Sequence, residues 1–403
     1  MKKKFSILTL IGLILGVIVG ICFKDFALNI EAIGTWYIKI LKLFITPVLF
    51  TSIAYTIYET SKKKTNLITK AVLLFIVMYT VSFLITSIIV SLFNPADGFV
   101  FKEVAYEGSK ASFNIKDILL SLLPKNLSDV FINPKVFFVI VLAYLVGKIG
   151  TLFNDADKVF TKVGKLKNSI NQLLGYFMYV TPIATLSLMA STVAKNGYVL
   201  LETGFKYIIM AYICSIIVVV VVMILPLYLI KHISPIEYIR KVYKIWAMTI
   251  STCSSAATLP YTVKVCNEDF NVNSEVTDVV VPLGCTIHMC GGAVSFALLG
   301  LFCSKLYGVN LTFTMYLMML VSSLLINMAA PGIPGGGIVI GATYLELLGI
   351  PLGFIGFYSG IYKLLDMCYT TLNVTGDISA NILLSNEENK KREVPHFDAK
   401  IHQ

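Results

Sequence analysis

The sequence predicts an all-α polytopic membrane protein with eight transmembrane helices and two re-entrant helical hairpins arranged as inverted repeats. Three observations carry this. Of 403 residues, 57% are hydrophobic and only 14% charged, and apolar runs of about 20 residues, the length that crosses a bilayer as a helix, recur throughout. Two late apolar segments are interrupted at their centres by small and polar residues. Two aspartates, Asp366 and Asp377, stand inside an apolar stretch near the end.

Runs at 5–23, 36–58, 68–93, 117–149, 168–195 and 202–231 are long enough to span. The first follows Met1-Lys-Lys-Lys and imitates a signal peptide, but it is long and lacks an Ala-x-Ala site, so it is expected to be the first span. Leu123-Pro-Lys-Asn126 and Asn133-Pro134 are expected to break the fourth run into pieces. Ile245 to Val265 is polar at its centre and is followed by Lys264, Glu268 and Asp269, which suits a segment that enters and returns to the same side. Val279 to Cys303 holds Pro282 and the Gly291-Gly292 pair and is expected to unwind at depth. Phe313 to Leu348 has a small-residue tip at 329–337 and repeats the hairpin pattern from the other side. Two interrupted segments in corresponding halves point to a binding site between inverted repeats.

The net charge of +10 invites a nucleic-acid reading, but the positives alternate from loop to loop and form no single stripe, so no nucleic-acid partner is expected. Lys2 to Lys4, Lys62 to Lys64, Lys158 to Lys167, Arg240 to Lys244 and Lys390 to Arg392 would share one side. The positive-inside rule then places both termini in the cytoplasm and the protein in the cell (inner) membrane. The eight cysteines lie mostly in apolar segments, which suits small buried hydrophobes.

In the 363–377 stretch, Asp366, Tyr369, Thr370, Asn373 and Asp377 fall on one narrow helix face at about 100° per residue. A carboxylate at bilayer depth costs about 2.5–3.5 kcal/mol, so the pair costs about 5–7 unless a cation or hydrogen-bond donors meet it. That cost points to a ligand. An intramembrane aspartyl protease also has two buried aspartates, but eleven residues of helix separate these by about 16 Å, too far to share one proton. Ser254 and Ser255 lack the Gly-x-Ser-x-Gly elbow of a serine hydrolase, so no catalytic residues are expected and the protein is not expected to be an enzyme. Cys285, His288 and Cys290, with Cys253 and Cys368, fit no standard finger spacing, so no transition metal is expected.

Four motifs in this order resemble the dicarboxylate and amino acid:cation symporters that include the glutamate transporters and their archaeal homologues. They are Ser254-Ser-Ala-Ala-Thr-Leu-Pro260, Pro282-Leu-Gly-Cys-Thr-Ile-His-Met-Cys-Gly291, Pro331-Gly-Ile-Pro-Gly-Gly-Gly337 and Asn373-Val-Thr-Gly-Asp377. Leu92-Phe-Asn-Pro95 and Leu123-Pro-Lys-Asn126 match as well. The resemblance implies an elevator-type homotrimer in the lipid bilayer with no cofactor and with sodium as coupling ion. It implies scaffold spans one and two in 1–66, a mobile third span in 67–95, an extracellular loop in 96–116 and scaffold spans four and five in 117–198. The transport domain would occupy 199–386 and a cytoplasmic tail 387–403.

By resemblance, Asp366 holds the α-amino group of an amino acid, Thr370 and Asn373 touch its amino and carboxylate ends, and Ser254, Ser255, Ile333 and Gly337 supply hairpin contacts. Asp377 and Asn373, with carbonyls of Gly284 and His288, match one sodium site; carbonyls of Thr286 and Met289 match part of another. A carboxylate, an amide and unwound carbonyls are the hard oxygens sodium wants. Two departures matter. The arginine that grips a side-chain carboxylate in glutamate carriers is Tyr369 here, and the assisting threonine is Gly292, which together with Cys253 shapes the subsite and is expected to leave room. The expected substrate is therefore a neutral amino acid. The Asn-Met-Asp-Gly-Thr of the family reads His288-Met-Cys-Gly-Gly292, so the third sodium site is expected to be lost; His288 is expected to be a neutral hydrogen-bonded imidazole in the lost asparagine's space, with a proton-carrying role and a channel or passive exchanger as the alternatives.

Overall fold

The computed structural model describes residues 2–62, 66–97, 136–153, 155–327 and 336–385, and among them helices are the only regular structure. Backbone hydrogen bonds that close within one segment are what an apolar solvent demands. The first three runs form α1 (Lys2–Cys22), a short α2 (Lys24–Asn29), α3 (Glu31–Lys62) and α4 (Asn66–Leu92). Of the fourth run, α5 (Val136–Gly150) is described; the expected breaks at 123–126 and 133–134 lie outside the described residues, as do all but two residues of the 96–116 loop and the 387–403 tail.

The fifth run differs from expectation. Residues 158–167, read as a loop, belong to helix α6 (Ala156–Phe177), which a 3-10 turn at Met178–Val180 joins to α7 (Thr181–Asn196) at a bend of 54°. Ala156, Phe160 and Gly164 recur every four residues on the buried face while Lys158, Lys162 and Lys165 stay exposed, so an amphipathic helix forms despite the charge. Pro182, in the first turn of α7, suits a helix start and not a helix interior. The sixth run is also interrupted: α8 (Tyr198–Val218) widens into a π-turn at Val219–Ile224 before α9 (Leu225–Lys231). Pro226 lacks the N–H that a regular turn would need there, and the wider turn absorbs the missing bond.

The second half follows as α10 (Pro235–Thr252), α11 (Ser255–Lys264), α12 (Ser274–Ile287), α13 (Cys290–Leu306), α14 (Phe313–Asn327), α15 (Gly336–Leu347) and α16 (Ile355–Leu384). Among the described residues, Asn66–Leu92, Leu201–Lys231 and Ser274–Leu306 are each long and apolar enough to cross a membrane, and the bent α6–α7 pair is long and apolar enough only when its two helices are taken together, as a broken span or a re-entrant loop. The 30 residues of α16 would extend about 45 Å. Its polar face keeps it from reading as a simple apolar span, and nearly all its side chains are buried by other helices.

Packing gathers the helices around two axes. Helix α1 runs along α7, and α3 packs on α5, α6 and α7. The α1–α7 contact is a backbone contact: a Cβ built on Gly16 would stand 2.7 Å from the Leu186 carbonyl oxygen and one on Gly20 2.6 Å from that of Ala190, while one on Gly12 would collide with Pro182. Small residues every four positions let two helices approach this closely in lipid. Around α16 lie α8, α10, α12 and α13, with α4 against α13. The two groups meet most extensively where α7 touches α16, at Gly356 beside Thr192 and Gly360 beside Met189, and also where α1 touches α16, α7 touches α8, α5 touches α14 and α3 touches α15.

Candidate functional site

Helix α10 ends at Cys253 in the left-handed conformation (φ 48°, ψ 43°), and Ser254 is extended (φ −149°, ψ 109°). The Ser254 hydroxyl oxygen accepts the Ala257 N–H at 3.3 Å and so starts α11. The first hairpin tip is therefore these two residues. A second break lies between α12 and α13, where His288 (φ −98°, ψ 101°) and Met289 (φ −131°, ψ 74°) leave the helix. The expected unwinding of the 279–303 run falls here.

Helix α16 brings its polar face against both breaks. Asn373 Oδ1 accepts the Gly291 N–H at 2.7 Å, docking the start of α13 on α16. The backbones approach so closely that a Cβ on Gly291 would collide with the main chain of Tyr369. Asp366 is buried and accepts the Thr370 hydroxyl at 3.1 Å on Oδ1.

These elements enclose a cavity of about 60 Å³, lined from the expected set by Cys253, Ser255, Met289, Gly292, Gly337, Asp366, Tyr369, Thr370 and Asn373. Ser254 caps its helix and does not line the cavity. Ile333 lies outside the described residues. Ser295, Phe296, Asn327, Ile340 and Tyr362 line the cavity too and went unnoticed in the sequence. Asn327 could have been found, since it is the polar residue at the end of the apolar run that leads into the second small-residue tip. Ser255, Gly292 and Gly337 stand at the N-terminal ends of α11, α13 and α15, whose partial positive charge favours an anionic group. One carboxylate and three helix N-termini around one space complement a zwitterion.

Gly292 does not leave the room expected of it. A Cβ there would run into the carboxamide of Asn327, whose Nδ2 donates to the Met289 carbonyl at 2.9 Å, so Asn327 fills the space. Gly292→Ala should therefore displace Asn327 and lower ligand affinity at least tenfold in a purified-protein binding assay. The paired change Gly292→Ala with Asn327→Ala should regain part of the loss. Undiminished affinity in Gly292→Ala would show that the carboxamide can move aside freely.

The expected cation ligands cluster below the cavity, and several of their oxygens already have protein donors. The Gly284 carbonyl accepts the His288 N–H at 2.8 Å, and the Met289 carbonyl and Asn373 Oδ1 are engaged as described. His288 Nδ1 lies 3.0 Å from Asp377 Oδ1 and its Nε2 3.1 Å from Cys290 Sγ, with the ring stacked on Phe75 at 4.5 Å between centroids. A Cβ on Gly284 would collide with the Asp377 carboxylate, so that glycine lets the main chain reach it. The Thr286 hydroxyl donates back to the Pro282 carbonyl at 3.0 Å. The imidazole thus spans Asp377 and Cys290 with opposite ring nitrogens, while Phe75 covers one face of the ring. One further cation is near in the chain: Lys363, 8% exposed, lies one turn before Asp366.

A buried polar cavity walled by interrupted helices within a bundle of apolar ones defines an integral membrane transporter. The chain belongs to the sodium:dicarboxylate symporter family, whose model matches residues 5–387. It is 24% identical to the proton/glutamate-aspartate symporter of Bacillus subtilis (strain 168) over 98% of this chain and 97% of that protein. It is 26% identical to C4-dicarboxylate transport protein 1 of Ralstonia nicotianae (strain ATCC BAA-1114 / GMI1000), over 96% of this chain and 93% of the relative. It is 24% identical to the proton/sodium-glutamate symport protein of Geobacillus stearothermophilus over 95% of this chain and 94% of that protein. The family and these relatives are transporters, and the protein is not an enzyme.

Proposed function

We propose that the protein is a secondary active symporter that carries a small amino acid across the cell membrane, coupled to a cation. The observation that carries this reading is the single cavity lined by Asp366, Thr370, Asn373, the first hairpin tip and the N-terminal end of α15. Asp366 takes the substrate ammonium, and the three helix N-termini with Asn373 take its carboxylate. The contact of α7 with α16 supports a division into a scaffold (1–66 and 117–198) and a transport domain (67–95 and 199–386) that moves as an elevator within a homotrimer of eight-span protomers, with both termini cytoplasmic. Uptake into liposomes of purified protein, driven by an imposed cation gradient, tests the reading; no accumulation under any gradient would sink it.

The expectation of a neutral substrate rests on Tyr369 carrying no charge. The relatives are named for glutamate, aspartate and C4-dicarboxylates, so an acidic cargo is the competing reading.

For the coupling ion, Asp377 supplies a full charge and Asn373 an amide oxygen to one sodium, while Cys290 gives a second site no hard oxygen. The log–log slope of affinity against sodium concentration should fall clearly below three. A slope of three would mean that a full set of sites has been rebuilt elsewhere. The 3.0 Å contact of His288 with Asp377 favours a second reading, in which a proton on this pair replaces sodium. A slope of zero with uptake that follows pH would select it.

A further inference from the structure

We propose that the exposed face of α6 is a binding surface for the anionic phospholipid headgroups of the cytoplasmic leaflet, a role separate from anything the cavity holds.

Helix α6 carries three lanes of side chains at about 100° per residue. Ala156, Phe160, Gly164 and Leu174 are buried on one side. There Phe160 stacks on Tyr58 of α3 at 3.8 Å between ring centroids, and a Cβ on Gly164 would meet the Tyr55 ring. Roughly opposite, Lys158, Lys162 and Lys165 fall within about 60° of one another and are exposed. Beside them Val159, Leu166 and Leu173 form an exposed apolar lane that repeats every seven residues. A basic lane next to an apolar one, on a helix whose third side is already packed, is the pattern of a helix lying in the membrane–water interface. The bend of 54° sets α6 obliquely to α7. Lys148, in the last turn of α5, is exposed as well, and α5 ends at Gly150 against the Phe160 ring, so a fourth ammonium stands at this end of the molecule.

The nearby acids leave most of this charge unbalanced. Asp157 accepts the Tyr58 hydroxyl at 2.7 Å and so is turned toward α3. Asp155 meets Lys158 at 3.6 Å, but both side chains are exposed, and such pairs contribute little. Among the described residues no carboxylate pairs with Lys148, Lys162 or Lys165. Lys167, on the buried side, is different: its ammonium lies over the Tyr55 ring, 5.3 Å from the centroid, and has its partner within the protein. Lysine stems can lie along the apolar lane while their ammonium groups reach phosphates, and clustered lysines on an amphipathic helix draw anionic lipid. The positive-inside rule assigns these lysines to the cytoplasm, which is the leaflet where anionic lipid collects. A second copy seated face to face on the same lane would set like charges against each other.

The test uses full-length protein in mixed micelles of detergent and phosphatidylcholine, into which phosphatidylglycerol is titrated while thermal unfolding is followed. Wild type is compared with K158Q/K162Q/K165Q, with the charge-keeping K158R/K162R/K165R, and with R240Q/K244Q, which removes exposed charge from α10 instead. Each protein is read against its own melting temperature without phosphatidylglycerol, so a loss of basal stability cannot mimic the result. Phosphatidylglycerol should raise the melting temperature of wild type by several degrees where the same amount of extra phosphatidylcholine does not. The glutamine triple variant should need at least fivefold more of it for the same rise, while the arginine variant and the α10 variant should track wild type. Equal responses of wild type to the two lipids, an unchanged requirement in the glutamine variant, or an equal loss in the α10 variant overturns the inference. A change of assembly size by light scattering in the glutamine variant, with its lipid requirement unaltered, would show that the face seats a second copy and overturns it too.

Discussion

Asp366→Asn is expected to abolish measurable binding of any α-amino acid while leaving the protein folded. The substitution keeps the shape of the side chain and an oxygen that can still accept the Thr370 hydroxyl, now 3.1 Å from Asp366 Oδ1. What it removes is the negative charge that meets the substrate ammonium in a buried cavity. Breaking a buried ion pair by removing one partner costs about 3–5 kcal/mol, which is roughly two to three and a half decades of affinity. Calorimetric titration in detergent reads the loss directly, and a thermal-unfolding scan without ligand shows whether the fold survives. Transport at the wild-type rate by Asp366→Asn would show that the amino group binds elsewhere.

His288→Ala should have the next largest effect, because one imidazole makes three contacts in a fully enclosed place. Its loss leaves the Asp377 carboxylate without the donor at 3.0 Å, the Cys290 thiol without its partner, and Phe75 facing a void. An unsatisfied buried group costs about 1–3 kcal/mol, and a void of this kind adds a comparable penalty. Melting temperature should fall by several degrees and cation-dependent uptake at least tenfold. His288→Asn restores an amide and the residue type that the resembling family carries at this place, so it should recover more stability than alanine and shift uptake toward sodium dependence. If alanine and asparagine behave alike, with sodium response unaltered, the imidazole is only filler.

The cavity-lining face of α16 was legible because it is periodic within one helix: Asp366, Thr370 and Asn373 need only the turn of the chain to align. The breaks at Cys253–Ser254 and His288–Met289 were legible because polar and small residues interrupt apolar runs there. What escaped depends on contacts across elements. Asn327 belongs to α14 yet fills the space opposite Gly292 on α13, and no spacing within either segment says so. Lys363 begins the very stretch that drew attention, yet it is buried, whereas a lysine near the end of an apolar run ordinarily reaches for water. The α6 helix was missed for the opposite reason: its lysines marked a loop, while its buried Ala156, Phe160 and Gly164 needed the partner helix α3 to become a face.

Helix α7 is gripped very differently on its two sides. Toward α1 it meets glycines 12, 16 and 20 with its own carbonyl oxygens, a fit of rigid main chain that has no softer arrangement nearby. Toward α16 it offers the far ends of Leu188, Met189 and Thr192 to Gly356 and Gly360. An unbranched thioether has many nearly equal poses, so displacement along this side meets shallow, closely spaced barriers, where displacement along the other would have to lift one backbone over another. In mechanical terms α7 is keyed to α1 by main chain and rests on α16 through side-chain tips.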